Sequence, residues 1–268
     1  MEYDILFLLC LVAFIAGFVD SIVGGGGLIQ TPLSLSILPL IPVATVMGSL
    51  KIPAFTGTSM AVIMYIKKIK VAWKLFAIMA LVAFISAYFG SYMLTIVSND
   101  FIKPVLLLIL IVMGVFTFFK KDFGQAKAQD IPEKQLIIYG VIISIIVGAY
   151  DGFIGPGTGT FFVLAFVTVL GMDFLTANTH AKLVNLATNF GSICLFLLKG
   201  KVLWSIALPM AVFNGLGGYV GSKFAIKKGN SIGWHIHEAD QEIIYVISGK
   251  GICTEDGVEK ELLQGQAN

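Results

Sequence analysis

"GFVDSIVGGGGLIQTPLSL" (17–35) recurs in altered form as "GAYDGFIGPGTGTFFVLAF" (148–166). Each stretch consists of an apolar run, an aspartate, a cluster of glycines and a second apolar run. Consecutive glycines interrupt a helix, because each costs about 1 kcal/mol relative to alanine. Pro156 in the second stretch also removes a backbone hydrogen-bond donor. The two stretches therefore predict two helices that are broken at their glycines.

The sequence around these stretches repeats at the same offset. A shift of 131 residues aligns Asp20 with Asp151 and Lys51 with Lys182 without a gap. The same shift also aligns two pairs of short motifs, "KIKVAW" (68–73) with "KGKVLW" (199–204) and "YFGS" (88–91) with "YVGS" (219–222). Unrelated apolar helices share composition but not register, so the constant offset indicates an internal duplication. Duplicated halves with interrupted helices are a recurring design of secondary transporters.

The composition predicts a membrane protein. The chain has 268 residues, of which 57% are hydrophobic and 13% are charged, whereas about a quarter of a soluble domain is charged. Several charge-free segments contain about 20 apolar-rich residues, which is the length that a helix needs to cross the hydrocarbon core. The ten-residue alternation of a β-barrel is lacking. We expect an all-α polytopic membrane protein with the lipid bilayer as a partner and no nucleic-acid partner; the sequence leaves the oligomeric state open.

The repeat ends before the second half is complete. In the first half an apolar helix, "PVLLLILIVMGVFTFF" (104–119), follows the "YFGS" motif, and the offset predicts its counterpart at 235–250. Residue 235 is instead a histidine, and the balance of Lys against Asp and Glu changes from +7 up to Asn230 to −5 from Ser231 onward. We therefore expect the last helix to be missing. The predicted segments are a first transmembrane repeat (1–122), a polar linker (123–135), an incomplete second repeat (136–230) and a short β segment (231–268).

The spacing of Gly229, His235, His237, Glu242 and Gly249 resembles the first motif of the cupin family. The resemblance implies that the two histidines and the glutamate bind a divalent metal, which imidazole and carboxylate ligands suit. A jelly roll needs about eight strands, and the remaining 38 residues form about three. We interpret 231–268 as a partial, truncated cupin and expect no cofactor. A barrel completed by a partner and a working metal site are the alternatives.

The broken helices indicate an internal binding site. Non-helical backbone at membrane depth lines a cavity or lies buried in protein, and its free N–H groups offer an anion the environment of a helix N-terminus. Close helix packing through small residues is the alternative. The candidate substrate-binding glycines are Gly24, Gly25, Gly26, Gly27, Gly155, Gly157 and Gly159. Asp20 and Asp151 precede them by one turn and are interpreted as proton or cation carriers or as caps of the broken helices.

Lys51 and Lys182 occupy equivalent positions inside apolar surroundings. We expect both ammonium groups to give a central cavity a positive field; snorkelling toward lipid headgroups is the alternative. Asn185, Asn189, Thr56 and Thr58 lie one or two turns along and would add hydrogen bonds. His180 is expected to have a packing role.

The aspartates with their glycine clusters, the lysine motifs and the repeated "KVxW" links resemble the TauE/SafE sulfite exporter family, particularly its YfcA-like members, over about residues 1–230. The resemblance implies a multi-pass carrier of the inner (plasma) membrane, typically with eight spans and not an enzyme. Its substrate would be a small anion such as sulfite or a sulfonate. A membrane-tethered metal-binding cupin-type protein and an inactive chimera are the alternative interpretations. The relative orientation of the halves depends on whether 28–47 and 159–177 fully cross, which the sequence leaves open.

Overall fold

The structure is a computed structural model that describes residues 3–69, 71–119, 131–228, 250–255 and 258–263. It divides into two compact units, residues 1–226 and 227–268. The helices of the described ranges are α1 (Tyr3–Val23), α2 (Gly27–Ile37), α3 (Val43–Tyr65), α4 (Trp73–Ile96), α5 (Asn99–Phe119), α6 (Glu133–Phe153), α7 (Thr158–Thr168), α8 (Phe174–Leu198) and α9 (Trp204–Lys228).

Five helices of the described segments, namely α1, α3, α4, α6 and α8, are long and apolar enough to cross a membrane. Large apolar side chains also cover the outside of the bundle, including Leu81 and Phe89 on α4 and Ile146 on α6, each more than 60% exposed. Such a continuous apolar exterior is not found on ordinary soluble domains. The prediction of a helical, multi-pass membrane protein is confirmed.

The helix boundaries recur at the offset seen in the sequence. α2 and α7 begin 131 residues apart, and so do α3 and α8, and α4 and α9. We call α1–α5 the first helix set and α6–α9 the second helix set. The counterpart of α5 would fall at 230–250, where the structure describes only Lys250. The predicted absence of the last helix therefore concerns residues outside the described ranges.

Corresponding helices of the two sets run in opposite directions. Tyr65 at the end of α3 contacts Asn178 near the start of α8, whereas Gly48 near the start of α3 packs against Phe196 near the end of α8. α3 and α8 are therefore antiparallel, although they occupy equivalent positions in their sets. This is the inverted arrangement known from many secondary transporters.

Two helices, α2 and α7, are too short to cross the membrane. α2 and α7 have 11 residues each, a length of about 16 Å at 1.5 Å per residue, which is about half of the hydrocarbon thickness. α2 folds back along α1, because Leu38 just after α2 packs in one apolar cluster with Leu9 and Ala13 of α1. The segments 28–47 and 159–177, whose crossing the sequence left open, thus contain helices too short to span.

The helices α4, α7 and α8 pack closely on one another. Phe76 of α4 packs on Phe166 of α7, and both belong to a buried apolar cluster with Phe162. Gly191 of α8 lies directly against the backbone of Phe84 on α4. These contacts hold α7 against the long helices α4 and α8.

The second unit contains an antiparallel hairpin. β1 (Lys250–Glu255) pairs with β2 (Val258–Leu263), with Lys250 opposite Leu263 and Glu255 opposite Val258. The metal ligands implied by the cupin resemblance, His235, His237 and Glu242, lie outside the described residues. Within the described ranges, no cluster of His, Cys, Asp or Glu is suited to a metal ion.

Candidate functional site

Two glycine turns form the centre of the site. Gly24 and Gly25 follow α1 with φ values of 76° and 90°, and Gly155 and Gly157 follow α6 with φ values of 87° and 86°. Residues with a Cβ rarely adopt these values, whereas glycine does so without steric cost. The chain can therefore turn within a few residues and begin α2 and α7 immediately afterwards.

The N-terminal ends of α2 and α7 lie next to each other. A Cβ placed on Gly24 would lie 2.9 Å from the carbonyl carbon of Gly159, and one on Gly27 would lie 3.2 Å from Cα of Pro156. The two backbones thus approach as closely as glycine allows. Each helix N-terminus carries a partial positive charge of about half an elementary charge, so the backbone gives this region a positive potential.

Each helix set supplies an aspartate to a lysine of the other set. Lys51 Nζ of α3 donates to Oδ2 and to the main-chain oxygen of Asp151 on α6, both at 2.8 Å. Lys182 Nζ of α8 donates to the main-chain oxygen of Asp20 on α1 and lies 3.7 Å from Asp20 Oδ2. The two pairs are equivalent at the offset of 131, and both join the first helix set to the second.

The pairing adds a counter-charge to each of the two ammonium groups expected at the cavity. Lys51 and Lys182 are 5% and 3% exposed, so both lie inside the bundle rather than extending to lipid headgroups. Their charges are balanced by Asp20 and Asp151, because an isolated ammonium group in a low-dielectric interior is very costly. The side chains of the two pairs carry no net charge, and the positive potential comes from the helix ends.

Asp20 has a second contact. Its Oδ1 accepts a hydrogen bond from the Gly26 N–H at 3.2 Å, at the start of α2. The carboxylate therefore caps the broken helix and pairs with Lys182 at the same time. The cap and the charge carrier, which the sequence left as alternatives, are both compatible with this geometry.

A cavity of about 60 Å³ lies between the two ion pairs. A water molecule requires about 10–15 Å³ of such volume, so the cavity has room for a few heavy atoms. Pockets for drug-sized ligands are several times larger, at about 300–1,000 Å³. Of the predicted site residues, those that line it are Asp20, Gly25, Gly26, Gly27, Lys51, Thr58, Asp151, Gly155, Gly157, Gly159, Asn185 and Asn189.

Three predicted residues are not part of the lining. Gly24 lies in the turn itself, and Lys182 reaches the cavity through its contact with Asp20. Thr56 Oγ1 donates instead to the Ala211 carbonyl at 2.9 Å and joins α3 to α9. His180 stacks on Phe76 with ring centroids 3.8 Å apart, which agrees with the packing role expected for it.

The sequence prediction missed an amide pair. Asn214 Nδ2 donates to Gln30 Oε1 at 3.1 Å, and both residues line the cavity and are nearly fully buried. This contact uses the amide oxygen of Gln30, and its Nε2 has no hydrogen-bond partner among the described residues. The duplication could not reveal the pair, because the equivalent positions hold Phe161 and Ala83. The signal in the sequence that could have revealed the pair was Gln30, a polar residue within the charge-free segment after Asp20.

Broken helices around a small polar cavity are a recurring design of membrane transporters. The family model described as "Sulfite exporter TauE/SafE" matches residues 9–234, and the chain belongs to this family. A model described as "Cupin domain" matches residues 222–267, so the two matches overlap at 222–234.

Similar proteins come from several bacteria. A "Probable membrane transporter protein ORF9" of Sinorhizobium is 35% identical over 235 residues, which cover 87% of each chain. The "Probable membrane transporter protein YfcA" of Escherichia coli K12 is 33% identical and is covered over 81% of its length by 82% of this chain. A "Probable membrane transporter protein" of Haemophilus influenzae is 31% identical, with 88% of it covered by 85% of this chain. No solved structure matches the chain.

Proposed function

We propose that this protein is a secondary carrier that moves a small anion, sulfite or a sulfonate or a related organic anion, across the inner membrane. The observation that carries the proposal is the pair of buried Lys–Asp contacts beside a cavity into which two helix N-termini point. Family membership supports the transporter class, and the cavity volume supports a substrate of few heavy atoms.

The binding chemistry follows from the lining. Lys51 lines the cavity and offers an ammonium donor whose charge Asp151 balances, and Lys182 contacts Asp20 of the lining. The glycine turns at 24–27 and 155–159 supply backbone N–H groups, which suit the oxygens of an anion at a helix N-terminus. Asn185, Asn189 and the free Nε2 of Gln30 supply further donors.

The ion pairs also offer a route to alternating access. We take the two helix sets as duplicated, inverted repeats, with 1–122 and 136–230 as their bounds, 123–135 as the linker and 231–268 as a separate segment. Both Lys–Asp contacts cross between the sets, so an anion that competes for a lysine weakens a contact that holds the sets together. Rocking of one repeat against the other around a central site is the usual motion of such carriers.

The test is uptake of radiolabelled sulfite and methanesulfonate into proteoliposomes that contain the full-length protein. Lys51→Gln and Lys182→Gln should each lower the initial rate at least tenfold, whereas Lys103→Gln, at an exposed position on α5, should transport at the wild-type rate. If both buried-lysine variants transport as well as the wild type, the lysines do not attract the substrate. If the wild type transports neither anion, the substrate class is wrong.

A second candidate function is a membrane-tethered metal-binding protein. It is favoured by the cupin match over 222–267 and would use His235, His237 and Glu242. Metal analysis of the purified full-length protein tests it, since bound metal should be stoichiometric and should disappear in His235→Ala. Metal-free wild-type protein after growth in supplemented medium would contradict it. The remaining alternative, an inactive chimera, is tested by sequencing the gene again across codons 225–268.

A further inference from the structure

The charges of the site raise the question of how an anion enters it. Lys51 and Lys182 contribute two positive charges and Asp151 and Asp20 two negative ones, so the empty site is neutral. A monovalent anion would add one uncompensated negative charge. Burying such a charge in protein is costly unless a counter-charge accompanies it, and one proton taken up on a carboxylate would restore neutrality.

We propose that each anion moves together with one proton, which binds to the carboxylate of Asp20, so that the transport cycle is electrically neutral. This inference rests on the proposed function and identifies its coupling ion. The observation that carries it is the difference between the two ion pairs, which are equivalent in sequence position but not in geometry.

Asp20 is held less closely by its lysine than Asp151 is. Its Oδ2 lies 3.7 Å from Lys182 Nζ and its side chain is 20% exposed, whereas Asp151 Oδ2 lies 2.8 Å from Lys51 Nζ and its side chain is 4% exposed. A longer separation weakens the attraction that keeps a carboxylate ionised. Both aspartates line the cavity, and Asp20 is the more exposed of the two.

Lys182 does not lose its contact when Asp20 is protonated. Its Nζ donates to the main-chain oxygen of Asp20, and this oxygen is unaffected by the proton on the side chain. The Gly26 N–H can likewise still donate to Oδ1. Protonation therefore leaves the local geometry intact but removes the negative charge that balanced Lys182, and the cavity gains the positive charge that an anion requires.

The step balances in protons and charge. A proton from the solution adds to the Asp20 carboxylate to form the neutral acid, and the anion binds to the site, which now carries one positive charge. After the sets have rearranged, the anion leaves and the carboxylic acid releases its proton to the same side. Asp20 then pairs again with Lys182, and the neutral site returns.

Charged and titratable groups face Asp20 from three other helices. Lys182 faces Asp20 from α8. Lys51 faces it from α3 across the cavity, and Tyr65, also on α3, donates through Oη to the carbonyl of the adjacent Ser21 at 2.9 Å. Asp151 faces it from α6 and remains paired with Lys51. The other polar side chains of the lining, on α2, α3, α7, α8 and α9, are amides and hydroxyls, which carry no charge.

The experiment uses proteoliposomes with methanesulfonate, whose single negative charge does not titrate, so that any accompanying proton is carried by the protein. With acid outside, the wild type should accumulate methanesulfonate about tenfold per unit of pH difference. The initial rate should not change when potassium and valinomycin set the membrane potential. A pH-sensitive dye inside the vesicles should report one proton per anion.

Asp20→Asn should exchange internal for external methanesulfonate but should lose accumulation on a pH gradient, and its net uptake should become sensitive to the membrane potential. Asp20→Glu should keep the coupling. The matched control is Asp173→Asn. Asp173 is an exposed N-cap of α8 that accepts a hydrogen bond from the Thr176 N–H, and an asparagine can accept the same bond. This variant should behave as wild type.

Accumulation by Asp20→Asn on a pH gradient would overturn the inference while leaving the carrier intact. If Asp20→Asn does not fold, as judged by gel filtration, the wild-type dye measurement decides, and a proton count of zero overturns the inference. If the wild type exchanges neither methanesulfonate nor sulfite, the proposed function fails, and the coupling proposal fails with it.

Discussion

The Lys51–Asp151 contact should show strong energetic coupling when its two residues are replaced separately and together. At the observed separation of 2.8 Å the Coulomb energy is about 6 kcal/mol at an effective dielectric constant of about 20. Desolvation of both ions offsets much of this energy. Lys51→Gln or Asp151→Asn alone leaves its partner buried and unpaired, and each should cost about 3–5 kcal/mol.

The double variant Lys51→Gln/Asp151→Asn removes both charges and should cost no more than either single change. The coupling energy from the double-mutant cycle should therefore be at least about 3 kcal/mol. The equivalent cycle at Lys182 and Asp20 should give a smaller value, because that pair is separated by 3.7 Å and Asp20 is partly exposed.

The assay is thermal unfolding of purified protein in detergent. For a chain of this size 1 kcal/mol shifts the midpoint by about 2–4 °C, so the single variants should unfold at least 6 °C below the wild type, and the double variant should unfold no lower than either of them. Additive losses in the double variant, or equal coupling in the two pairs, would refute the reasoning from distance and burial.

Three further predictions concern the helix break, the amide pair and the orientation. Gly26→Ala should destabilise the fold by more than about 2 kcal/mol, because the new Cβ would lie 2.7 Å from Cβ of Asp20. Gly215→Ala should be tolerated, because no atom would lie nearer than 3.9 Å to its Cβ. Thermal unfolding of the two variants compares these effects. Gln30→Leu removes a free cavity donor and should raise KM for the transported anion by about 5–150-fold, as a loss of 1–3 kcal/mol requires, without a matching fall in kcat. In a cysteine-free background, Lys68→Cys and Lys199→Cys should react with an impermeant maleimide from opposite sides of the membrane. The reason is that α3 and α8 are antiparallel, so the exposed links that follow them lie at opposite ends of the bundle. Labelling of both residues from one side would contradict the inverted arrangement.

The positive-inside rule gives the orientation a direction. Lys67, Lys68 and Lys74 lie at the end of the bundle where α3 finishes and α4 starts, and Lys134 lies at the start of α6 on the same side. Cytoplasmic loops carry an excess of lysine and arginine, so we expect Lys68 to face the cytoplasm. In intact cells Lys199→Cys, and not Lys68→Cys, should then react with the impermeant reagent.

Local sequence patterns were sufficient to predict much of the candidate site. The charge-free lengths predicted membrane helices, and the glycine clusters after Asp20 and Asp151 predicted where two of them break. These predictions depend on short-range physics, since hydrocarbon thickness sets helix length and glycine sets backbone freedom. The structure places most of the predicted residues around one cavity.

Other parts of the site depend on contacts between residues far apart in the chain. The partner of Lys51 lies 100 residues away at Asp151, and the partner of Gln30 lies 184 residues away at Asn214. Neither pairing follows from the residues' own neighbours, so the sequence predicted the lysines at a cavity but not their partners.

The sequence by itself determined that the chain enters a membrane as helices, that two of them break, and that an aspartate precedes each break. It could do so because lipid thickness and backbone freedom act over a few residues. Only the tertiary structure decided that α2 folds back along α1, that equivalent helices are antiparallel, and that each lysine meets the aspartate of the other set. The reason is that the direction of a chain after a glycine turn, and the burial of a charge, depend on what packs against them from elsewhere in the fold.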